Sequence, residues 1–190
     1  MRDKILLIIL FFVLMAAIPL GFIVNNEGKD EKTAKKTEAN DTFDPYIADA
    51  AGLCGEDFCE EAYKAMAIIA TNNRKLGGKT KSNSNDNSNS ELYKRIKTYC
   101  SAGDAVISIN DKQTEIPVSK CSNGNTVAPS ESSGLTAVAS PWDHFSPNFD
   151  PEAECVGVSA DGIDYLCKNG MSAEDALRWY LPNSKIAFAK

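Results

Sequence analysis

Residues Ile5 to Val24 form an unbroken run of twenty residues without a charge, ILLIILFFVLMAAIPLGFIV. A helix of that length spans roughly 30 Å, the thickness of a bilayer's hydrocarbon core, and the rather polar remainder of the chain is a poor partner for burying it on all sides. Arg2 and Lys4 precede the run, as in the basic front of an export signal. Pro19-Leu20-Gly21-Phe22-Ile23 makes a poor cleavage site, so the run reads as an uncleaved signal anchor rather than a cleaved peptide. The expectation is a single-pass cell-membrane protein whose domain stands on the extracytoplasmic face. Residues 1–25 are then the transmembrane helix, residues 26–43 a flexible polar linker without apolar periodicity, and residues 44–190 one small domain.

The formal net charge of −6 leaves no basic field for a nucleic-acid backbone. A single histidine, His144, excludes any site that needs two of them. Six cysteines follow the apolar run: Cys54, Cys59, Cys100, Cys121, Cys155 and Cys167. An even count beyond an export signal fits three disulfides, and the sequence does not choose among the pairings. No C-x-x-C occurs; zinc held by cysteines such as Cys121 together with His144 is the open alternative, and otherwise no cofactor is implied.

Hydrophobic periodicity predicts a helix near Glu60 to Arg74, with Ala62, Ala65, Met66 and Ile69 on one stripe, Asp57 as its cap and Gly77-Gly78 as its stop. Ser82 to Ser90 is a low-complexity polar loop, and a short helix follows to about Tyr99. Ala105 to Asn110 alternates as a strand, Asn110-Asp111 turns, and Glu115 to Lys120 is its expected hairpin partner. Asp161 to Asn169 is a helix stopped by Gly170, and Ser172 opens a last helix closed by Pro182. A central hairpin region flanked by helices makes the class α+β.

Three stretches carry chemistry. Glu61 to Ala67 reads EAYKAMA; Ser122 to Thr126 reads SNGNT and is followed by LTAVASPWD from Leu135 to Asp143; Gly157 to Gly162 reads GVSADG, with Asn169-Gly170 and Tyr180-Leu181-Pro182-Asn183 beyond it. In this order and spacing they resemble the stage II sporulation protein D and amidase-enhancer family. Its corresponding motifs are E-A-L-K-A-Q-A, S-N-G-K-T with S-P-W-D, G-M-S-Q-x-G-A and Y-Y-P-G. The resemblance implies a protein of peptidoglycan remodelling during engulfment, with glycan strands, a cell-wall amidase and a membrane scaffold as partners. Lytic members of the family cleave the glycan through one glutamate, which protonates the glycosidic oxygen and leaves an anhydro sugar end.

That glutamate lies eight residues before the E-A of the helix, and counting back from Glu61 reaches Leu53. Met66 replaces the family's glutamine, and Glu154 and Ala160 stand where its later histidine and glutamine would be. The resemblance therefore implies a non-catalytic relative that holds glycan strands or a partner hydrolase. An active transglycosylase would need a shifted acid, Glu56 or Glu154. A third reading, from another class, is a disulfide-stapled surface module unrelated to sporulation. Ser122, Asn123, Gly124, Thr126 and Ser159 are the expected glycan contacts, because small polar residues around a glycine let backbone amides and hydroxyls reach sugar hydroxyls. Trp142 is either a stacking surface for a pyranose ring or a core anchor.

Overall fold

The computed structural model describes residues 43–82, 90–101 and 103–188, within a unit spanning Thr42–Lys190. Its fold is α+β. Among the described residues, five α-helices, α1 (Pro45–Leu53), α2 (Glu60–Leu76), α3 (Glu91–Cys100), α4 (Ala160–Lys168) and α5 (Ala173–Tyr180), accompany short strands. These are β1 (Ala105–Ile109), β2 (Lys112–Gln113), β3 (Val118–Ser119), β4 (Thr126–Val127), β5 (Cys155–Val156), β6 (Val158–Ser159) and β7 (Ser184–Phe188). An antiparallel sheet runs in the order β2-β1-β7, while β3 pairs β6 and β4 pairs β5 in two small parallel ladders.

Helix α2 is the centre of the core and packs against α1, α3, α4, α5 and β1. Its small residues Ala62, Ala65, Ala67 and Ala70 are buried along with Tyr63, Met66 and Ile69, so neighbouring helices approach it on several sides. The expected stripe is thus only part of a more fully buried surface. Gly77 ends α2 in the left-handed conformation at φ 67°. At the other end Asp57 does not cap: it pairs with Lys168 at 3.3 Å, and the backbone N–H of Cys59 donates instead to Asp164 Oδ1 at 2.8 Å.

Two elements go beyond the sequence reading. Helix α1 begins at Asp44, whose carboxylate accepts the amides of Tyr46 and Ile47, with Pro45 in the first turn. Strand β7 pairs along the whole of β1, from Ala105 opposite Phe188 to Ile109 opposite Ser184.

The hairpin is corrected. Asn110 and Asp111 turn at positive φ as expected, yet the ladder on that side of β1 is limited to Lys112–Gln113, with one further bond from the Thr114 N–H to Ile107 O at 3.4 Å. The chain then leaves the sheet because α2 captures it: Asn72 Nδ2 donates to Thr114 O, and Asn73 both donates to Ile116 O at 2.8 Å and accepts its N–H at 2.9 Å. Val118–Ser119, expected in the hairpin, instead lies parallel to Val158–Ser159.

The expected single-pass membrane attachment is also corrected. Among the described residues no helix is long and apolar enough to cross a membrane. The longest, α2, carries Glu60, Glu61, Lys64, Arg74 and Lys75, and charges of this kind are costly in a hydrocarbon core. The run Ile5–Val24, residues 26–42 of the expected linker and residues 83–89 of the Ser82–Ser90 loop lie outside the described residues. Neither attachment through a spanning segment nor a single-pass location has support in the described fold.

The three disulfides are corrected as well: Cys54, Cys59, Cys100, Cys121, Cys155 and Cys167 are all free thiols. Several of them occupy separate backbone environments. Cys54 Sγ, just past the end of α1, faces Ala50 O at 3.3 Å, Cys100 Sγ faces Ala67 O at 3.9 Å, and Cys121 Sγ faces Ser122 O at 3.5 Å. Burial pushes the thiols of Cys54, Cys100, Cys155 and Cys167 up to about 12, so they act as small apolar fillers with weak donors.

Candidate functional site

Leu53 is the last residue of α1, which starts at its Asp44 cap and ends where Cys54 turns to an extended backbone. Its backbone carbonyl accepts Lys120 Nζ at 2.8 Å, which ties the end of the helix to the segment beyond β3. The same ammonium lies 5.0 Å from the centre of the Phe58 ring and 3.3 Å from Asp161 Oδ1. Leu53 lines a cleft of about 610 Å³, together with Gly52, Met66, Pro117 and Val118. The carboxylates on its rim hold a loop in place. Asp49 accepts the amides of Lys81 and Ser82 at 2.9 and 2.8 Å, and Glu115 accepts that of Lys79 at 3.2 Å.

Glu56 and Glu154 are both exposed, and neither lines this cleft or the second cavity of about 330 Å³ beside Glu61, Lys64 and Tyr99. Glu61, by contrast, is engaged. It pairs with Lys64 and accepts the N–H of Ala173 at 2.9 Å, and these two bonds hold its carboxyl below the usual range.

The SNGNT and SPWD stretches meet around Asp143, which is only 1% exposed. Its Oδ2 accepts the N–H of Ser122 at 3.0 Å, the Ser122 hydroxyl, and the Ser140 hydroxyl at 2.9 Å. Ser140 Oγ shares a hydrogen bond of 2.6 Å with Tyr180 Oη, which also accepts Trp142 Nε1 at 2.9 Å. Burial raises the Tyr180 phenol well above its ordinary value, so it stays protonated in this network. Asp143 Oδ1 is buried without a hydrogen-bond partner among the described residues. It faces Gly162, where an added Cβ would lie 2.9 Å from it and closer still to Tyr180 Oη.

This geometry assigns the expected glycan contacts to different tasks. The Ser122 hydroxyl donates to Asp143 and accepts the Gly124 N–H at 3.2 Å, so it is used internally. Thr126 is buried, with Oγ1 accepting the N–H of Val138 at 3.1 Å, and Ser159 caps α4 by accepting the N–H of Gly162 at 3.0 Å. Gly124 is buried at φ 103° with its carbonyl bonded to Ser140 N, and Asn123 alone of the five is exposed. His144 is exposed and stands over Gly124, 3.4 Å from where a Cβ would be, with its ring edge-on to Phe149. Cys121 is buried, and among the described residues no group of three or more histidine, cysteine or acidic side chains is placed to hold a metal ion.

Beside this network the structure exposes an aromatic surface of which the sequence reading singled out only Trp142. The Trp142 ring stacks on Tyr165 at 6.1 Å and meets Trp179 edge-on at 5.0 Å; Phe145 stacks on Tyr165 at 5.9 Å. The rings come from the 3-10 turn Pro141–Phe145, α4 and α5, so no sequence window holds all of them. The three-residue spacing of Trp142 and Phe145 is the one local signal of it.

The chain matches no protein-family model, and no curated protein matches it. The family resemblance therefore stands on the residues quoted above.

Proposed function

We propose that this domain binds peptidoglycan glycan strands without cleaving them, as a non-catalytic protein of the stage II sporulation protein D type. The observation that carries this reading is Leu53 on the wall of the 610 Å³ cleft, at the place where the resemblance calls for a proton donor. An aliphatic side chain neither gives nor takes the proton that glycosidic cleavage needs. Glu56 and Glu154, the shifted acids, stand exposed and outside the cleft. The residues of the matching motifs serve instead to lock the SNGNT loop onto the SPWD turn through Asp143.

The test incubates the full chain with purified glycan strands, pellets them, and examines the strand ends by mass spectrometry. The expected result is co-sedimentation with no anhydro-MurNAc ends, and a Leu53→Glu variant that produces them would add support. Anhydro ends made by the unaltered protein and abolished by Glu56→Gln or Glu154→Gln would overturn the reading, as would failure to co-sediment.

A further inference from the structure

We infer that the exposed rings of Phe145, Tyr165 and Trp179, backed by the half-buried Trp142, form a stacking subsite for neutral pyranose rings; the inference rests on the glycan-binding reading above. Phe145 is 77% exposed, Trp179 43% and Tyr165 37%, in a fold that otherwise buries most of its large apolar side chains. The two indoles are fixed by their polar edges: Trp142 Nε1 donates to Tyr180 Oη at 2.9 Å and Trp179 Nε1 to Ala139 O at 3.0 Å. Their N–H groups are thereby satisfied inside the protein, and a bound ligand meets ring faces held rigid before it arrives. Tyr165 Oη makes no hydrogen bond with the described residues and remains available to a sugar hydroxyl.

Charge and area select the occupant. On the helices that carry Tyr165 and Trp179, Lys168 is tied to Asp164 and Asp57, and Arg178 to Glu174 and Asp175. Neither cation of these two helices is left to hold a phosphate, which disfavours a nucleic acid or an anionic lipid surface. The exposed ring surface amounts to roughly 300 Å², against the roughly 800 Å² per partner of a stable protein interface. A patch this small, uncharged and faced with aromatic planes suits one or two saccharide units, whose axial C–H faces lie flat on such rings.

The experiment titrates the full chain with a soluble β-1,4-linked N-acetylglucosamine tetramer and follows tryptophan fluorescence, alongside sedimentation with glycan strands. The unaltered protein is expected to show a saturable fluorescence change. The double variant Phe145→Ala/Tyr165→Ala should weaken binding roughly tenfold while keeping the circular dichroism of a folded protein and a cooperative melt, and Tyr165→Phe should retain most of the affinity. Strand binding that the double variant leaves unchanged would overturn this inference and leave the glycan-binding reading intact. Absence of strand binding in the unaltered protein would overturn both. A concentration-dependent dimer abolished by the double variant would overturn the inference by identifying the surface as a contact between two copies.

Discussion

Gly162 has no alternative at its position. Its missing side chain makes room for the Tyr180 hydroxyl, Asp143 Oδ1 and Ser140 Oγ, all within 2.9 Å of a Cβ that is not there. Tyr180 and Asp143 are buried and mutually constrained, so they have nowhere to retreat. Gly162→Ala is expected to cost at least about 2 kcal/mol through overpacking, read as a lowered denaturant midpoint. Gly52 supplies the contrast, since it lies inside α1 with nothing within 4 Å of where its Cβ would sit. Gly52→Ala should stabilise the protein by about 0.5–1 kcal/mol, because alanine loses less backbone freedom in a helix. Gly162 stands inside a motif legible in the sequence, but nothing local to either glycine says which distant atoms face it.

Among the elements, α2 decides how the middle of the chain is paired. Thr71 Oγ1 accepts the N–H of Ala105, Asn72 Oδ1 accepts that of Ile107 at 2.7 Å, and Asn73 satisfies both backbone groups of Ile116. Three consecutive polar residues near the C-terminal end of a buried helix thus act as a ladder for a neighbouring strand and for the segment that leaves it. Alternation in the sequence identifies β1, since Ala105, Ile107 and Ile109 face the core. It overextends the partner because side-chain amides of α2, far away in sequence, take the Thr114 carbonyl and both backbone groups of Ile116. Asn73→Ala would leave the N–H and C=O of the fully buried Ile116 without partners, with an expected loss of about 2–3 kcal/mol. Hydrogen exchange at the Ile116 amide should accelerate in that variant if the pairing is as described.

At the scale of the whole molecule, free buried thiols set both chemistry and pH response. Unfolding in denaturant without reductant is expected to release six thiols to a colorimetric disulfide reagent, whereas the native protein should expose few of them. The ordinary thiol value of 9.0 rises to about 12 for Cys54, Cys100, Cys155 and Cys167. Above pH 9 the unfolded chain sheds these protons while the folded chain keeps them. The stabilisation they give is complete below about pH 9 and is lost progressively toward pH 12. Lys168, raised by its bond to Asp164, acts in the same direction. Chemical denaturation at pH 7.5 and pH 10 should therefore show lower stability at the higher pH, and Cys155→Ala should flatten that dependence.

Local signals in the sequence placed helices near 60–74, up to about 99, over 161–169 and after Ser172, close to the observed 60–76, 91–100, 160–168 and 173–180, because stops and short-range periodicity act between residues a few positions apart. They also put Leu53 where the resemblance expects an acid, by simple counting back from Glu61. The tertiary structure alone decided that Ser122, Thr126 and Ser159 point inward, that six cysteines stay unpaired, and that Phe145, Tyr165, Trp142 and Trp179 share one surface. Each of those outcomes depends on which distant side chains compete for the same donors, acceptors and space, and that competition takes place only once the chain has packed.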